Sequence, residues 1–200
     1  KEVDASGLVV GIEKNEKLFN VAKTRTAEYN QVRIVNNDAC LLTGIENDVF
    51  DLAYARFILQ HLPNPTKMLI EAKRILKPGG KLIVMDSDDS LFHITPYHKE
   101  MAEFLSEASK GQIKYGGDRN IGHKIPCMLH DAGYTNINTS VYTFTSKNIS
   151  SHEFLDITTK FKIDLLDASL KEWGASIINE IYRKSEDGSF FGSSGVYCVV

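Results

Sequence analysis

Three polar residues stand just after short apolar runs: Glu13 after "LVVGI", Asp38 after "RIVNN" and Arg56 after "DLAYA". If those runs are parallel strands of an open sheet, their carboxyl ends face the side where such sheets take ligands. A carboxylate at Glu13 can accept both hydroxyls of a ribose; the plain alternative is a solvated acid at a strand end. Asp38, with the backbone amide of Ala39 behind it, can read an adenine edge, although alone it is an Asx cap of a turn. Arg56 can bridge to a ligand carboxylate or shape a substrate mouth, or it can pair with a neighbouring acid such as Asp86. His61, in "QHLP", is a turn-capping histidine or a catalytic base. The acids of "DSDD", Asp86, Asp88 and Asp89, offer oxygen donors of the kind a divalent cation takes. We expect no metal there. His93, His98, His123, His130 and His152 lack the spacing of a zinc site. His93, Tyr97 and Tyr115 are candidates for substrate contact, or for the core of a cap.

The elements that must position these residues alternate. Leu8 to Ile12 reads as a buried parallel strand, and Asn15 caps a helix to about Tyr29 with Leu18, Val21 and Ala22 on one face. Val32–Val35 and Phe50–Ala55 are further strands. Pro65 opens a second helix, whose Met68, Leu69, Ala72, Ile75 and Leu76 follow helical spacing. "KPGG" at 77–80 turns the chain into a strand at Lys81–Met85. This rhythm of continuous apolar strands and helices predicts an α/β fold: a doubly wound, mostly parallel Rossmann-like sheet. Downstream we expect a helix over Tyr97–Ser109, a polar loop "GQIKYGGDRN", and a helix from Ile121 to Ala132 ended by Gly133. An alternating strand over Thr135–Thr145, helix from Ser151 to about Lys184, and a terminal strand "GSSGVYCVV" complete the pattern. The chain reads as one domain, with 87–120 and 146–188 as helical insertions above the sheet.

The chain has 200 residues, a net charge of −3 and three scattered cysteines, Cys40, Cys127 and Cys198. Its length suits one full core. The charge argues against non-specific nucleic-acid or anionic-membrane binding. The odd, scattered cysteines fit reduced cytosolic thiols rather than a disulfide framework. No apolar run reaches the ~20 residues of a membrane span.

Several stretches in order resemble the class I S-adenosylmethionine-dependent methyltransferases, in particular the small-molecule type that includes the ubiquinone and menaquinone C-methyltransferases. "GLVVGIEKNEKLFNVAK" is similar to that family's second motif, whose acid (here Glu13, with Lys14 beside it) binds the ribose. "NNDAC" resembles the segment whose Asp contacts the adenine amino group. "FDLAYARFILQHLPNP" resembles the fourth motif, whose residues after the strand (here Arg56, Phe57 and His61) line the methionine end of the cofactor. "EAKRILKPGGKLIVMD" and "RNIGHKIPCMLHDAGYTNI" are similar to the later helix–turn–strand and to the helix before a final antiparallel pair. The likeness covers about the first 145 residues and the last strand. It implies S-adenosylmethionine as cofactor and methyl transfer to a small-molecule acceptor; the cysteines and the charge add the expectation of a cytoplasmic enzyme with no nucleic-acid or membrane partner. It leaves a homodimer open and assigns no catalytic residue.

The family's first motif, a glycine-rich loop, has no counterpart: no two glycines are spaced G-x-G. "KEVDAS" resembles the tail of the helix that follows that loop, so we expect the loop upstream of Lys1. Two rival readings remain. An NAD-dependent oxidoreductase shares the strand-end acid but leaves "NNDAC" and the antiparallel pair unexplained. A non-catalytic member of the family would bind a partner instead.

Overall fold

The computed structural model describes residues 7–186 and 188–200; the helix tail expected at "KEVDAS" lies outside them. The chain divides into two compact units: Lys1–Ala53 with Thr66–Lys81, and Tyr54–Pro65 with Leu82–Val200.

In the first unit, β1 (Val9–Glu13) is followed by α1 (Glu16–Arg25) and β2 (Val32–Asn36). The two strands pair in parallel, Val9 opposite Val32 and Glu13 opposite Asn36. Asn15 caps α1 as its residue type demands, accepting the N–H groups of Lys17 and Leu18 at 3.0 and 3.1 Å. The helix stops at Arg25, short of the expected Tyr29. Thr24 and Thr26 turn their hydroxyls back onto the carbonyls of Asn20 and Ala22, each at 2.9 Å, a side-chain bond that competes with helix continuation. Leu18 and Val21, expected to be covered, are 57% and 46% exposed. Next come β3 (Phe50–Arg56), α2 (Pro65–Ile75) and β4 (Leu76–Ser87). The apolar stripe of α2 is buried as its spacing predicts, through Met68, Leu69, Ala72 and Ile75. Arg74 ties α2 to the preceding loop, donating to the Ile45 carbonyl and to Asn47 Oδ1 at 2.8 Å each while pairing with Glu71. "KPGG" is bonded into the start of β4 rather than forming a free turn; its bend is carried by Gly79, at φ +80°.

Strands β3 and β4 continue into the second unit, where the sheet order is β3-β4-β7-β5 with β6 also on β7. Here β5 is His93–Thr95, α3 Lys99–Lys114, α4 Ile125–Asp131, β6 Thr139–Thr145, α5 Ser151–Thr158, α6 Lys171–Ser185 and β7 Phe191–Val199. β7 runs antiparallel to β4, β5 and β6, and the expected terminal pair is β6–β7. The α/β class stands.

Two expectations change. The first half of the "GQIKYGGDRN" loop is helix, because Gly111 is not a breaker: a Cβ there would collide with the Leu165 carbonyl. The long helix over 151–184 is broken between α5 and α6 by 3-10 turns at Lys160–Leu165 and Ala168–Leu170. Segments 87–120 and 146–188 share one apolar cluster, in which Phe92, Met101 and Phe104 meet Phe154, Ile177 and Ile181. Phe92 and Phe154 stack with centroids 5.9 Å apart.

Candidate functional site

The first unit gathers four of the expected residues at the carboxyl ends of β1 and β2. Glu13 is half-buried. Its Oε1 accepts the Asn15 N–H at 2.7 Å, while Oε2 receives no hydrogen bond from the described residues. The Asn36 side chain locks the strand ends together by donating to the Glu13 carbonyl at 2.8 Å. Lys14 reaches across to Asp38, Nζ to Oδ2 at 2.7 Å. The other Asp38 oxygen accepts the Cys40 N–H at 2.8 Å, so the Asx cap named as the plain alternative is formed. Ala39 lies inside that turn. The Lys14 ammonium and the Cys40 amide hold the Asp38 carboxyl below its usual range, and Asp38 raises Lys14 in return. Lys14 is 75% exposed, so the pair is labile and adds little to stability. A ligand amino group can displace the lysine.

Arg56, Phe57 and His61 lie in the second unit. Phe57 sits at φ +54° where β3 ends, a left-handed conformation uncommon for a bulky residue. Its N–H is tied to the Met85 carbonyl at 2.8 Å. The exposed Arg56 guanidinium lies 5.4 Å from the Phe57 ring centroid. The alternative Arg56–Asp86 ion pair is not formed. Asp86 is fully buried and accepts backbone N–H groups instead, from Ser87 at 2.9 Å and Gln60 at 3.4 Å. Burial raises the Asp86 carboxyl, and the amides of residues 58–60 and Ser87 offset part of that rise. His61 is exposed, with Nδ1 3.1 Å from the Gln112 amide nitrogen.

Beside them lies a polar cluster in which Asp88 and Asp89 of "DSDD" meet partners that the sequence did not announce. Asp88, 1% exposed, accepts His123 Nδ1 at 2.6 Å and the His123 N–H at 2.9 Å. Burial pushes its carboxyl up, but hydrogen bonds from Ser90 and His123 win and hold it low. Asp89 takes Arg119 through both oxygens, at 2.9 and 3.1 Å, and Lys162 at 3.0 Å. Arg119 also donates to Gln60 Oε1. Lys162 is 1% exposed, with its ammonium 5.3 Å from the Phe92 ring centroid. The acids of "DSDD" thus each meet a different set of donors. Tyr97 and Tyr115 are 77% and 74% exposed and form no cap core; His93 is exposed too.

Residues 2–84 match the family model of the methyltransferase domain. Over that stretch, about two fifths of its length, the chain is similar to methyltransferase domains. The demethylmenaquinone methyltransferase of Staphylococcus aureus is 33% identical over 101 residues, which are 50% of this chain and 40% of that protein. Two solved structures share the fold. The YcgJ protein of Bacillus subtilis has a TM-score of 0.61 at 14% identity, covering 96% of this chain and 82% of that one. Phosphoethanolamine N-methyltransferase 2 of Haemonchus contortus, solved with S-adenosyl-L-methionine, has a TM-score of 0.56 at 19% identity, covering 96% and 42%. The chain spans about two fifths of the length of the curated relatives it matches. Among the described residues no helix is long and apolar enough to cross a membrane.

Proposed function

We propose that the chain is an S-adenosylmethionine-dependent methyltransferase for a small, partly apolar acceptor. The observation that carries this reading is the end of β1, where one Glu13 carboxylate oxygen is unengaged by the described residues, beside the Lys14–Asp38 pair. That donor set fits the cofactor: Glu13 for the ribose hydroxyls, Asp38 and the Ala39 amide for the adenine edge, with Lys14 yielding its place. Arg56, Phe57 and His61 are assigned to the methionine end on the strength of the family motif. The cofactor supplies a methyl group on a sulfonium, so the protein's task is to align the acceptor and exclude water. No side chain is assigned as a base.

Support for a small acceptor comes from the staphylococcal relative, named for demethylmenaquinone, and from the net charge of −3, which disfavours nucleic acid and anionic membrane. Segments 87–120 and 146–188 would cover that acceptor within a single domain. A cytoplasmic location, with a homodimer left open, completes the reading.

The test is calorimetry of S-adenosylmethionine binding to the full-length protein and to its Glu13→Ala variant. A carboxylate bonded to ribose predicts a loss of about 1–3 kcal/mol. Equal affinity would remove Glu13 from the site. No binding by the full-length protein would favour the partner-binding reading.

A further inference from the structure

Gln112, on α3 and 4% exposed, directs its amide nitrogen at two acceptors. One is the Gln60 carbonyl oxygen at 3.0 Å; the other is His61 Nδ1 at 3.1 Å. A carbonyl oxygen has only lone pairs, so the group facing it is the NH2 and not the amide oxygen. The second N–H of that NH2 then requires a lone pair on Nδ1. A neutral imidazole carries a single ring proton, which is therefore on Nε2. Among the described residues no group pairs with Nε2, and the ring is exposed.

The local backbone is shaped around this contact. Gly117 passes so close that a Cβ would collide with both the Gln60 carbonyl and Gln112 Nε2. The Gly117 N–H donates to the Gln112 carbonyl at 3.0 Å, and the Asp118 N–H to the Gln60 carbonyl at 2.9 Å. Arg119 holds the Gln60 side chain from behind. Burial, and then the Arg119 charge, lower the His61 pKa from its ordinary value, so the ring is neutral at pH 7. A neutral N–H donor with the Arg119 guanidinium nearby favours an anionic oxygen over a cationic or neutral partner.

We infer that His61 is a fixed N–H donor to a ligand carboxylate, with Gln112 as the positioning residue that sets its tautomer, and that His61 is not a general base. This rests on the cofactor reading above: the one anionic group of S-adenosylmethionine and of S-adenosylhomocysteine is the α-carboxylate.

The full chain is tested in two ways. Nitrogen-15 spectra of its histidines should show His61 protonated on Nε2 at pH 7, and Gln112→Leu should turn that single tautomer into a mixture. Calorimetry then compares S-adenosylhomocysteine with 5′-methylthioadenosine, which keeps the nucleoside and thioether but lacks the carboxylate. His61→Phe should weaken the first about tenfold, the scale of one charge-assisted bond, and leave the second unchanged. His61→Gln, which can still donate, should recover most of the loss. A proton on Nδ1, or equal weakening of both probes, overturns the inference. Unchanged S-adenosylhomocysteine affinity in His61→Phe overturns it alone. No binding of S-adenosylhomocysteine by the full-length protein overturns the cofactor reading together with it.

Discussion

Lys162 Nζ lies 3.0 Å from Asp89 Oδ1 with 1% of the lysine side chain exposed, and the same carboxylate takes Arg119. One acid thus bridges two interior cations. Removing it should be far more damaging than removing either partner. Asp89→Asn should cost about 3–5 kcal/mol, since it strands buried charge. Lys162→Met, which keeps the stem packed over Phe92, should change stability by no more than about 1 kcal/mol. Urea denaturation of the two variants checks the ordering. The double variant should recover part of the Asp89→Asn loss, because one of the two stranded cations is gone.

The same lysine makes stability depend on pH. Burial lowers the Lys162 pKa to about 8 from 10.5, and Asp89 only partly restores it. Below pH 8 both folded and unfolded chains hold the proton. Between about 8 and 10.5 the folded chain has released it and the unfolded chain has not, so this residue adds stability as pH rises. The gain is at most about 3 kcal/mol. Denaturation midpoints at pH 7, 8, 9 and 10, read as the difference between the unaltered chain and Lys162→Met, should rise across that window. A flat difference would mean that the ammonium stays charged inside the fold.

Gly111→Ala tests why a glycine stands inside α3. The added methyl meets the Leu165 carbonyl, so α3 and the 3-10 turn must part. The cost should be about 1–3 kcal/mol, outweighing the gain in helix propensity. Exposed Ser106→Ala on the same helix is the control, and should be neutral or slightly stabilising in the same thermal melt.

Arg74 should not tolerate lysine. Its planar head serves Ile45, Asn47 and Glu71 at once, a fork that an ammonium cannot reproduce. Arg74→Lys should cost about 1–2 kcal/mol, and hydrogen exchange should quicken at Asp48 and Val49, whose amides bond to the carbonyls of Arg74 and Ile75.

What the sequence made legible was local. Asn15 before a helix, Pro65 at a helix start and the apolar stripe of α2 each act within a turn or two of the chain. Glu13 and Asp38 were legible for the same reason, as acids at strand ends. The Lys14–Asp38 pair was not, because it depends on which strands lie side by side. Gln112, Arg119 and Lys162 were invisible: they meet partners 51 to 73 residues away, and no spacing rule marks such encounters. Gly111 misled because glycine marks both a break and a close approach, and only the neighbouring Leu165 decides which.

β7 touches β4, β5 and β6, yet it is the last strand in sequence order. The three strands it joins are synthesised first and must wait with open edges for residues 191–199. Assembly of that sheet is therefore governed by loop closures over long stretches of chain, a slow kind of nucleus.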